Sequence, residues 1–263
     1  YNKHTAISYY FFCILHCMVP FLFVNLYLSC YLAMGWNDTW NSIIQGGPKR
    51  WKVDDIEKKE IALNHIEEHA TNAAEDGERK LNIFCPLAGD DLFVYHAWSR
   101  GHTVAAADLV PAALEQMRKQ FKEGSWQKEE RPCSTVVWTH DSGRATLYET
   151  DILVHIPELE NKFDVIYDKD SFGALEKSMR KPFCERMAKY VKEGGIVYTE
   201  VKYKTDDHPG RHEGPPFHVT PDDLMEPTNF GSAFEHAMNL GKVYDVGIPN
   251  MMQTAHVLKR LGR

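Results

Sequence analysis

The chain has 263 residues, of which 43% are hydrophobic and 25% charged, values typical of a globular protein with one substantial core. A formal net charge of -7 argues against a nucleic-acid backbone as the main partner, because the chain has no basic excess with which to displace counterions. The six cysteines include no C-x-x-C pair, which excludes an obvious disulfide framework or zinc motif and predicts a cytoplasmic protein.

The first 33 residues differ from the rest in composition. No Asp, Glu, Lys or Arg lies between Lys3 and Asp38, and residues 7–33 are mostly Phe, Leu, Tyr, Val and Cys. This stretch is long enough to cross a bilayer or to act as a signal sequence, which would place the protein at a membrane or in the secretory pathway. The third alternative is that the protein starts at Met34 and that residues 1–33 are a spurious extension of the reading frame. In each case we expect residues 34–263 to form one domain.

The predicted elements begin with an amphipathic helix over 53–74, in which Ile56, Ile61, Leu63 and Ile66 form a helical stripe. The remaining elements are predicted in this order: strand 81–87, a helix, strand 103–107, helix 111–121, a hairpin of strands 135–138 and 145–148 that runs on to Asp151, strand 163–167, helix 176–191, strand 196–203, and strands 242–248 and 254–260.

Strands that alternate with helices favour a mostly parallel sheet with helices on both faces. The connection 249–251 is too short to contain a crossover helix, so the last two strands must pair antiparallel. We therefore predict an α/β fold with a seven-stranded, mostly parallel sheet and an antiparallel last strand. This arrangement resembles the Rossmann-like class I methyltransferase fold.

The segment 81–109 is the most informative part of the chain. Its first strand ends in a turn at Gly89, and its second strand ends at Asp108, where an acidic side chain binds a nucleoside ribose in doubly wound folds. The loop 86–91 has one glycine and two carboxylates, and it lacks both G-x-G-x-x-G and P-loop motifs. Two negative charges would repel a pyrophosphate, whereas the sulfonium and ammonium of S-adenosylmethionine suit an acidic loop. The alternative is that Gly89 only turns the chain and the aspartates cap the next helix.

Three tryptophans precede this unit. Trp36 and Trp40 lie one helical turn apart, and Trp51 follows a Gly-Gly-Pro break. Because aromatic faces attract desolvated cations, we predict that these side chains cover a positively charged cofactor. The alternative is that they pack an N-terminal helix.

Several segments together resemble the thiopurine S-methyltransferase family and its thiol and halide methyltransferase relatives, over residues 36–260. These segments are WNDTW, NIFCPLAG, SRGHTVAAADL, ETDIL, FDVIYDKDSFGAL, SMRKPFCERMAKYVKEGG and HPGRHEGPPFHVT. The resemblance implies S-adenosylmethionine as the cofactor. The cofactor-binding residues that it implies are Trp36, Trp40, Leu87, Gly89, Asp108, Leu109, Asp151 and Ile152. Asp108 would bind the ribose hydroxyls, and the two residues after the third strand would border the adenine.

The resemblance also implies an acceptor site formed by Trp51, Lys169, His208 and Phe217. Asp168 and Lys169 are predicted as catalytic residues, and they stand where the thiopurine enzymes carry an Asp-Arg pair. A lysine cannot make the bidentate contacts of an arginine. Three extra residues, 211–213, lengthen the loop over the acceptor pocket.

Methyl transfer from a sulfonium depends mainly on positioning and on exclusion of water, so no dedicated triad is expected. Asp168, His208 or His212 could remove a thiol proton. The Asp- and His-rich segment 206–218 matches no standard metal-ligand spacing, and we predict no metal site.

The sequence therefore predicts a monomeric methyltransferase that transfers a methyl group to a small soft nucleophile, a thiol or thiopurine-type sulfur. Its partner would be a small-molecule methyl acceptor. Three alternatives are a halide or selenium methyltransferase, a non-catalytic protein that binds S-adenosylmethionine, and a nicotinamide-dependent oxidoreductase.

Overall fold

The computed structural model describes residues 38–47, 55–70, 80–132 and 135–262. The chain divides into two compact units, Tyr1–Lys49 and Arg50–Arg263. The described part of the first unit is helix α1 (residues 38–44) and a turn at Gly46. The predicted hydrophobic segment 1–33 lies outside the described residues. Among the helices that are described, none combines the length and the apolar character needed to cross a bilayer.

The second unit alternates helices and strands, as expected. Its elements are α2 (Ile56–His69), β1 (Asn82–Cys85), α3 (Leu92–Ser99), β2 (Thr103–Asp108), α4 (Pro111–Gln120), β3 (Trp126–Arg131), β4 (Thr135–His140), β5 (Ala145–Glu149), β6 (Phe163–Lys169), α5 (Ser171–Ala174), α6 (Lys177–Tyr190), β7 (Val191–Lys204), α7 (Pro221–Met225), β8 (Phe234–Asp245) and β9 (Met251–Arg260).

The strands of the second unit form one sheet in the order β3-β4-β5-β2-β1-β6-β7-β9-β8. Strands β5, β2, β1, β6 and β7 are parallel and form the centre of the sheet. β9 is antiparallel to both of its neighbours, β7 and β8, which confirms the predicted pairing of the last two strands. The predicted α/β class with a parallel core is confirmed.

The predicted number of seven strands was wrong, because the described sheet has nine. The hairpin of β4 and β5 was predicted, although β5 ends at Glu149 rather than at Asp151. The segments predicted as strands match eight of these nine, and the one they miss is β3, whose sequence WQKEER is exposed at its four central positions and lacks the alternation of a half-buried strand.

The two outer strands of the described sheet are β3 and β8. In β3, charges pair along the strand, Lys128 with Glu130 and Arg131 with Glu129, each at 2.9 Å. In β8, the pairing with β9 is interrupted by three register shifts, so its hydrogen-bonding edge is irregular.

Side chains of the central strands alternate between two buried clusters. In β1, Ile83 and Cys85 pack with residues of α2, α3 and α4, whereas Phe84 packs with residues of α6. Helices therefore cover both faces of the sheet, as predicted. The carboxyl ends of the parallel strands all lie at the same edge of the sheet.

Helix α2 buries a different face from the predicted one. Leu63 and Ile66 are buried, but Ile56 and Ile61 are 49% and 36% exposed. Lys59 is buried instead, because its ammonium lies 2.7 Å from a carboxylate oxygen of Asp91. A lysine with a carboxylate partner is thus buried in this helix, whereas the apolar pattern predicted that isoleucines would be.

Candidate functional site

The residues predicted for cofactor binding in the second unit follow the ends of neighbouring parallel strands. Leu87 and Gly89 follow β1, and Asp108 ends β2. The pair 151–152 follows β5, and Asp168 lies near the end of β6. Since these strands are parallel and adjacent, the structure brings all of these residues to the same edge of the sheet. This edge is where ligands bind in doubly wound folds.

The loop after β1 is fastened to the end of β2. The backbone N–H of Gly89 donates a 2.8 Å hydrogen bond to Oδ2 of Asp108, and that of Ala88 donates to the carbonyl of Ala107 at 3.0 Å. Leu87 and Gly89 both adopt positive φ angles, 43° and 55°, a region that non-glycine residues rarely enter. The loop therefore has a fixed conformation that turns the chain across the end of β2.

Asp108 is buried and accepts backbone hydrogen bonds on both of its oxygens. Besides Gly89 on Oδ2, the N–H of Val110 donates to Oδ1 at 2.9 Å. Burial raises the pKa of Asp108, and the backbone amides of Val110, Gly89 and Leu109 oppose this rise. A carboxylate has about four acceptor positions. The two hydrogen-bonded amides therefore leave room for donors such as ribose hydroxyls.

The two aspartates of the loop have different environments. Asp91 caps α3 by accepting from the N–H of Phe93 at 2.8 Å, and it pairs with Lys59. For Asp91, the capping alternative was right. Its charge is also neutralised by Lys59. Asp90 is buried and close enough to Asp108 to raise the pKa of that carboxyl.

The chain turns sharply after β5. The carboxylate of Asp151 accepts from the N–H of Leu153 at 2.9 Å, and Ile152 is buried in the core cluster on the α6 face. These two residues adjoin the end of β2, because the N–H of Thr150 donates to the carbonyl of Asp108 at 3.0 Å. They stand beside the proposed ribose position, and their contact with adenine stays a prediction.

Asp168 is fully buried below the edge. Its Oδ1 accepts from the N–H of Ser171 at 2.9 Å, and its Oδ2 accepts from the hydroxyl of Thr199 at 3.0 Å. Burial raises its pKa to about 6. Ser171 in turn donates its hydroxyl to the carbonyl of Pro86 at 2.9 Å. This chain of contacts favours a positioning role for Asp168, since it ties the end of β6 to the loop after β1.

Lys169 lies in a buried network of charges. Its ammonium is 2.5 Å from Asp170 Oδ2 and 3.6 Å from Glu200 Oε2. Asp170 also accepts from the ammonium of Lys202 at 2.7 Å and from the side-chain amide of Gln253 at 3.0 Å. Burial alone would lower the pKa of Lys169, but the two carboxylates raise it above its ordinary value.

The sequence reasoning missed four members of this network, Asp170, Glu200, Lys202 and Gln253. One signal was present in β7, where EVKYK places charges soon after the apolar run 196–198. Charged residues in a central strand are expected to be paired, because an unpaired buried charge is very costly. Burial lowers the pKa of Lys202 to about 8, while Asp170 opposes this decrease.

Phe217 and His208 lie in the segment between β7 and α7. The N–H of Phe217 donates to the carbonyl of Gly173 at 2.8 Å, which places this residue beside the end of β6. Nδ1 of His208 accepts from the N–H of Gly210 at 3.0 Å. The ammonium of Lys204 donates to the carbonyls of Gly210 and Glu213, at 2.9 Å and 2.7 Å, and so holds the inserted residues 211–213 as a compact turn.

The three predicted tryptophans cannot be placed at this edge. Trp40 lies in α1, which belongs to the other unit, and Trp36 and Trp51 lie outside the described residues. The hypothesis that they cover the cofactor stays a prediction.

The comparison with family models matches residues 36–257 to Thiopurine S-methyltransferase (TPMT). A thiopurine S-methyltransferase of Bos taurus is 29% identical over 149 residues, which cover 55% of this chain and 58% of that protein. One of Shewanella woodyi is 29% identical over 159 residues, covering 58% of this chain and 66% of that protein. The matched stretches span less than two thirds of these relatives.

Solved structures show the same fold at low identity. The 1,6-didemethyltoxoflavin-N1-methyltransferase of Burkholderia thailandensis, with bound S-adenosylhomocysteine, has a TM-score of 0.58 at 14% identity, covering 88% of this chain and 89% of that one. A TehB-like SAM-dependent methyltransferase of Corynebacterium glutamicum has a TM-score of 0.52 at 14% identity, covering 88% and 98%. These similarities confirm the predicted fold class.

Proposed function

Because the chain belongs to the thiopurine S-methyltransferase family, we propose that it is an S-adenosylmethionine-dependent methyltransferase. The observation that carries the proposal is the Asp108 carboxylate, which the amides of Gly89 and Val110 hold at the end of β2. Its remaining acceptor capacity suits the two hydroxyls of a ribose.

The loop after β1 supports the same cofactor. Its sequence lacks the G-x-G-x-x-G motif whose backbone amides approach the pyrophosphate of a nicotinamide dinucleotide, and Asp90 adds a buried carboxyl group there. The loop therefore favours a methyl donor over the oxidoreductase alternative.

When bound, S-adenosylmethionine supplies a methyl group that the acceptor takes by in-line displacement, while the electrons of the broken C–S bond stay on the donor sulfur. The protein contributes mainly position. Asp168 orders the turn that carries Ser171, and Ser171 anchors the carbonyl of Pro86 at the start of the cofactor loop. Asp168 itself is enclosed, so it acts through these contacts rather than on the acceptor.

For the acceptor, we infer a small soft nucleophile, with a thiol or thiopurine-type sulfur first. The positive charges of Lys169 and Lys202 are paired with the carboxylates of Asp170 and Glu200. This network therefore does not favour an acceptor that carries a carboxylate. His208 is not placed to remove a thiol proton, because its Nδ1 accepts from the Gly210 amide and the neutral ring therefore carries its own proton on Nε2.

The test combines a binding and a product measurement on the purified chain. Calorimetry with S-adenosylhomocysteine should show binding, and NAD should not compete. Mass spectrometry should then detect methylated product from an aromatic thiol, a thiopurine, an alkyl thiol, hydrogen sulfide, iodide or selenite.

Binding without product from any of these acceptors would support the non-catalytic alternative. Product from iodide or selenite alone would move the acceptor assignment away from sulfur. Binding of NAD, with no binding of S-adenosylhomocysteine, would overturn the whole proposal.

A further inference from the structure

Helix α2 carries a cluster of metal-ligating side chains near its carboxyl end. His65, Glu68 and His69 are spaced i, i+3 and i+4, so they share one helical face. Their ligand atoms all lie within 4.8 Å of one another. We propose that these three residues form a binding site for a divalent transition metal of the zinc type. The proposal departs from the sequence-based expectation of no metal site, and it is independent of methyl transfer.

The donor set fits the chemistry of such an ion. Two imidazole nitrogens and one carboxylate oxygen are ordinary zinc ligands, and they leave a fourth position for water. Tetrahedral ligands at 2.0–2.1 Å from a metal lie about 3.3 Å apart. Glu68 Oε2 is 3.9 Å from His65 Nδ1 and 3.9 Å from His69 Nε2. The Glu68 side chain is 67% exposed, so a small rotation can bring its oxygen to ligand distance.

A second observation points to the same place. Nδ1 of His65 is buried, and it has no hydrogen-bond partner within the described part of the chain. Buried polar atoms without a partner are rare and need an explanation, of which an ion is one. The His65 ring is also stacked between His69 and Tyr198, with centroid distances of 6.4 Å and 6.3 Å. The imidazole is thus held with its unpaired nitrogen toward the cluster.

The spacing H-x-x-E-H also occurs in a class of zinc peptidases, where the glutamate is the general base rather than a ligand. In this chain the carboxylate of Glu68 lies equally close to both histidines, which is the position of a ligand. We therefore infer a binding site, not a hydrolytic centre. A metal there would stiffen the last turns of the helix whose Lys59 holds the cap of α3.

The site is tested on the full chain without an affinity tag, after removal of metals with a chelator. Calorimetry with zinc chloride should show one ion per chain. Co²⁺ should give a visible absorption band typical of nitrogen and oxygen ligands, with no thiolate charge-transfer band. Zinc should also raise the melting temperature, because a ligand that binds the folded state stabilises it.

His65→Ala and His69→Ala should each weaken zinc binding roughly tenfold or more. Loss of a residue that only hydrogen-bonds to a metal ligand already lowers metal affinity by about 10- to 100-fold, and loss of the ligand itself should cost no less. Glu68→Gln tests the site without a risk to folding, because this side chain is mostly exposed. His155→Ala is the matched control, as His155 also has a glutamate nearby, 3.4 Å away, but lies outside the cluster.

Absence of binding to the unmodified chain overturns the proposal. Unchanged affinity in a variant that lacks both His65 and His69, or a thiolate band with cobalt, overturns it as well, because the ion would then be bound elsewhere. Loss of binding in the cluster variants with retention in the control supports it.

Discussion

Replacing Asp108 by Asn tests the central contact of the proposed cofactor site. The substitution keeps the shape of the side chain but turns one acceptor oxygen into an amide group, which then faces the N–H of Gly89 or of Val110. A buried donor without an acceptor costs about 1–3 kcal/mol, so the variant should lose that much stability. A hydrogen bond from a ribose hydroxyl to the charged carboxylate is worth about 1.5–3 kcal/mol. We therefore expect the affinity for S-adenosylhomocysteine to fall by about 10- to 150-fold.

The matched control is Asp164→Asn at the opposite edge of the sheet. Asp164 is as well buried as Asp108, and it accepts from the N–H of Asn82 at 2.8 Å and from the ammonium of Lys192 at 2.6 Å. This variant should lose comparable stability in urea titrations yet bind S-adenosylhomocysteine like the original chain in calorimetry. Equal loss of binding in both variants, or unchanged binding in Asp108→Asn, would refute the ribose assignment.

Three further outcomes are expected. Lys59→Met should lower the free energy of unfolding by about 2 kcal/mol in urea titrations, because it leaves a partly buried carboxylate unpaired. Lys58→Met, which removes only a 3.6 Å ion pair with the exposed Asp55, should change it by less than about 0.5 kcal/mol. Gly214→Ala should raise the KM for the acceptor in steady-state assays, because a Cβ there would overlap the ring of Phe217. Cofactor affinity, measured by calorimetry, should stay unchanged. An unchanged KM would contradict the placement of this loop at the acceptor. Burial and the nearby charge of a second histidine lower the pKa of His256 from 6.5 to about 4. The unfolded chain therefore takes up the proton at higher pH than the folded chain. Stability should decrease by up to about 3 kcal/mol as the pH falls from 6.5 to 4. His256→Gln should flatten this pH dependence in urea titrations, and an equally steep profile would show that other groups cause it.

The unit that carries the cofactor loop could be predicted because its signals are local. A buried strand, a glycine turn and a second strand ending in Asp108 lie within 30 residues, and both strands are buried at nearly every position, as their continuous apolar runs predict. The position of Asp91 was harder to predict. Its partner Lys59 lies 32 residues earlier, on a helix whose isoleucines suggested another buried face.

The charged network around Lys169 could not be derived from spacing. Asp170 and Gln253 are 83 residues apart, and they meet only because β9 inserts between β7 and β8 in the sheet. The sequence shows a lysine after Asp168, but not that the carboxylate one position later is its partner. Only the strand order brings these side chains together.

The irregular outer strands also bear on how the protein behaves at high concentration. A regular unpaired strand is a template onto which a neighbouring molecule can add its own, and such growth leads to fibrils. The charged residues of β3 and the register shifts of β8 disrupt that template on both flanks. Self-association by strand addition is therefore disfavoured at either flank of the described sheet, and concentrated solutions should resist fibril formation by this route.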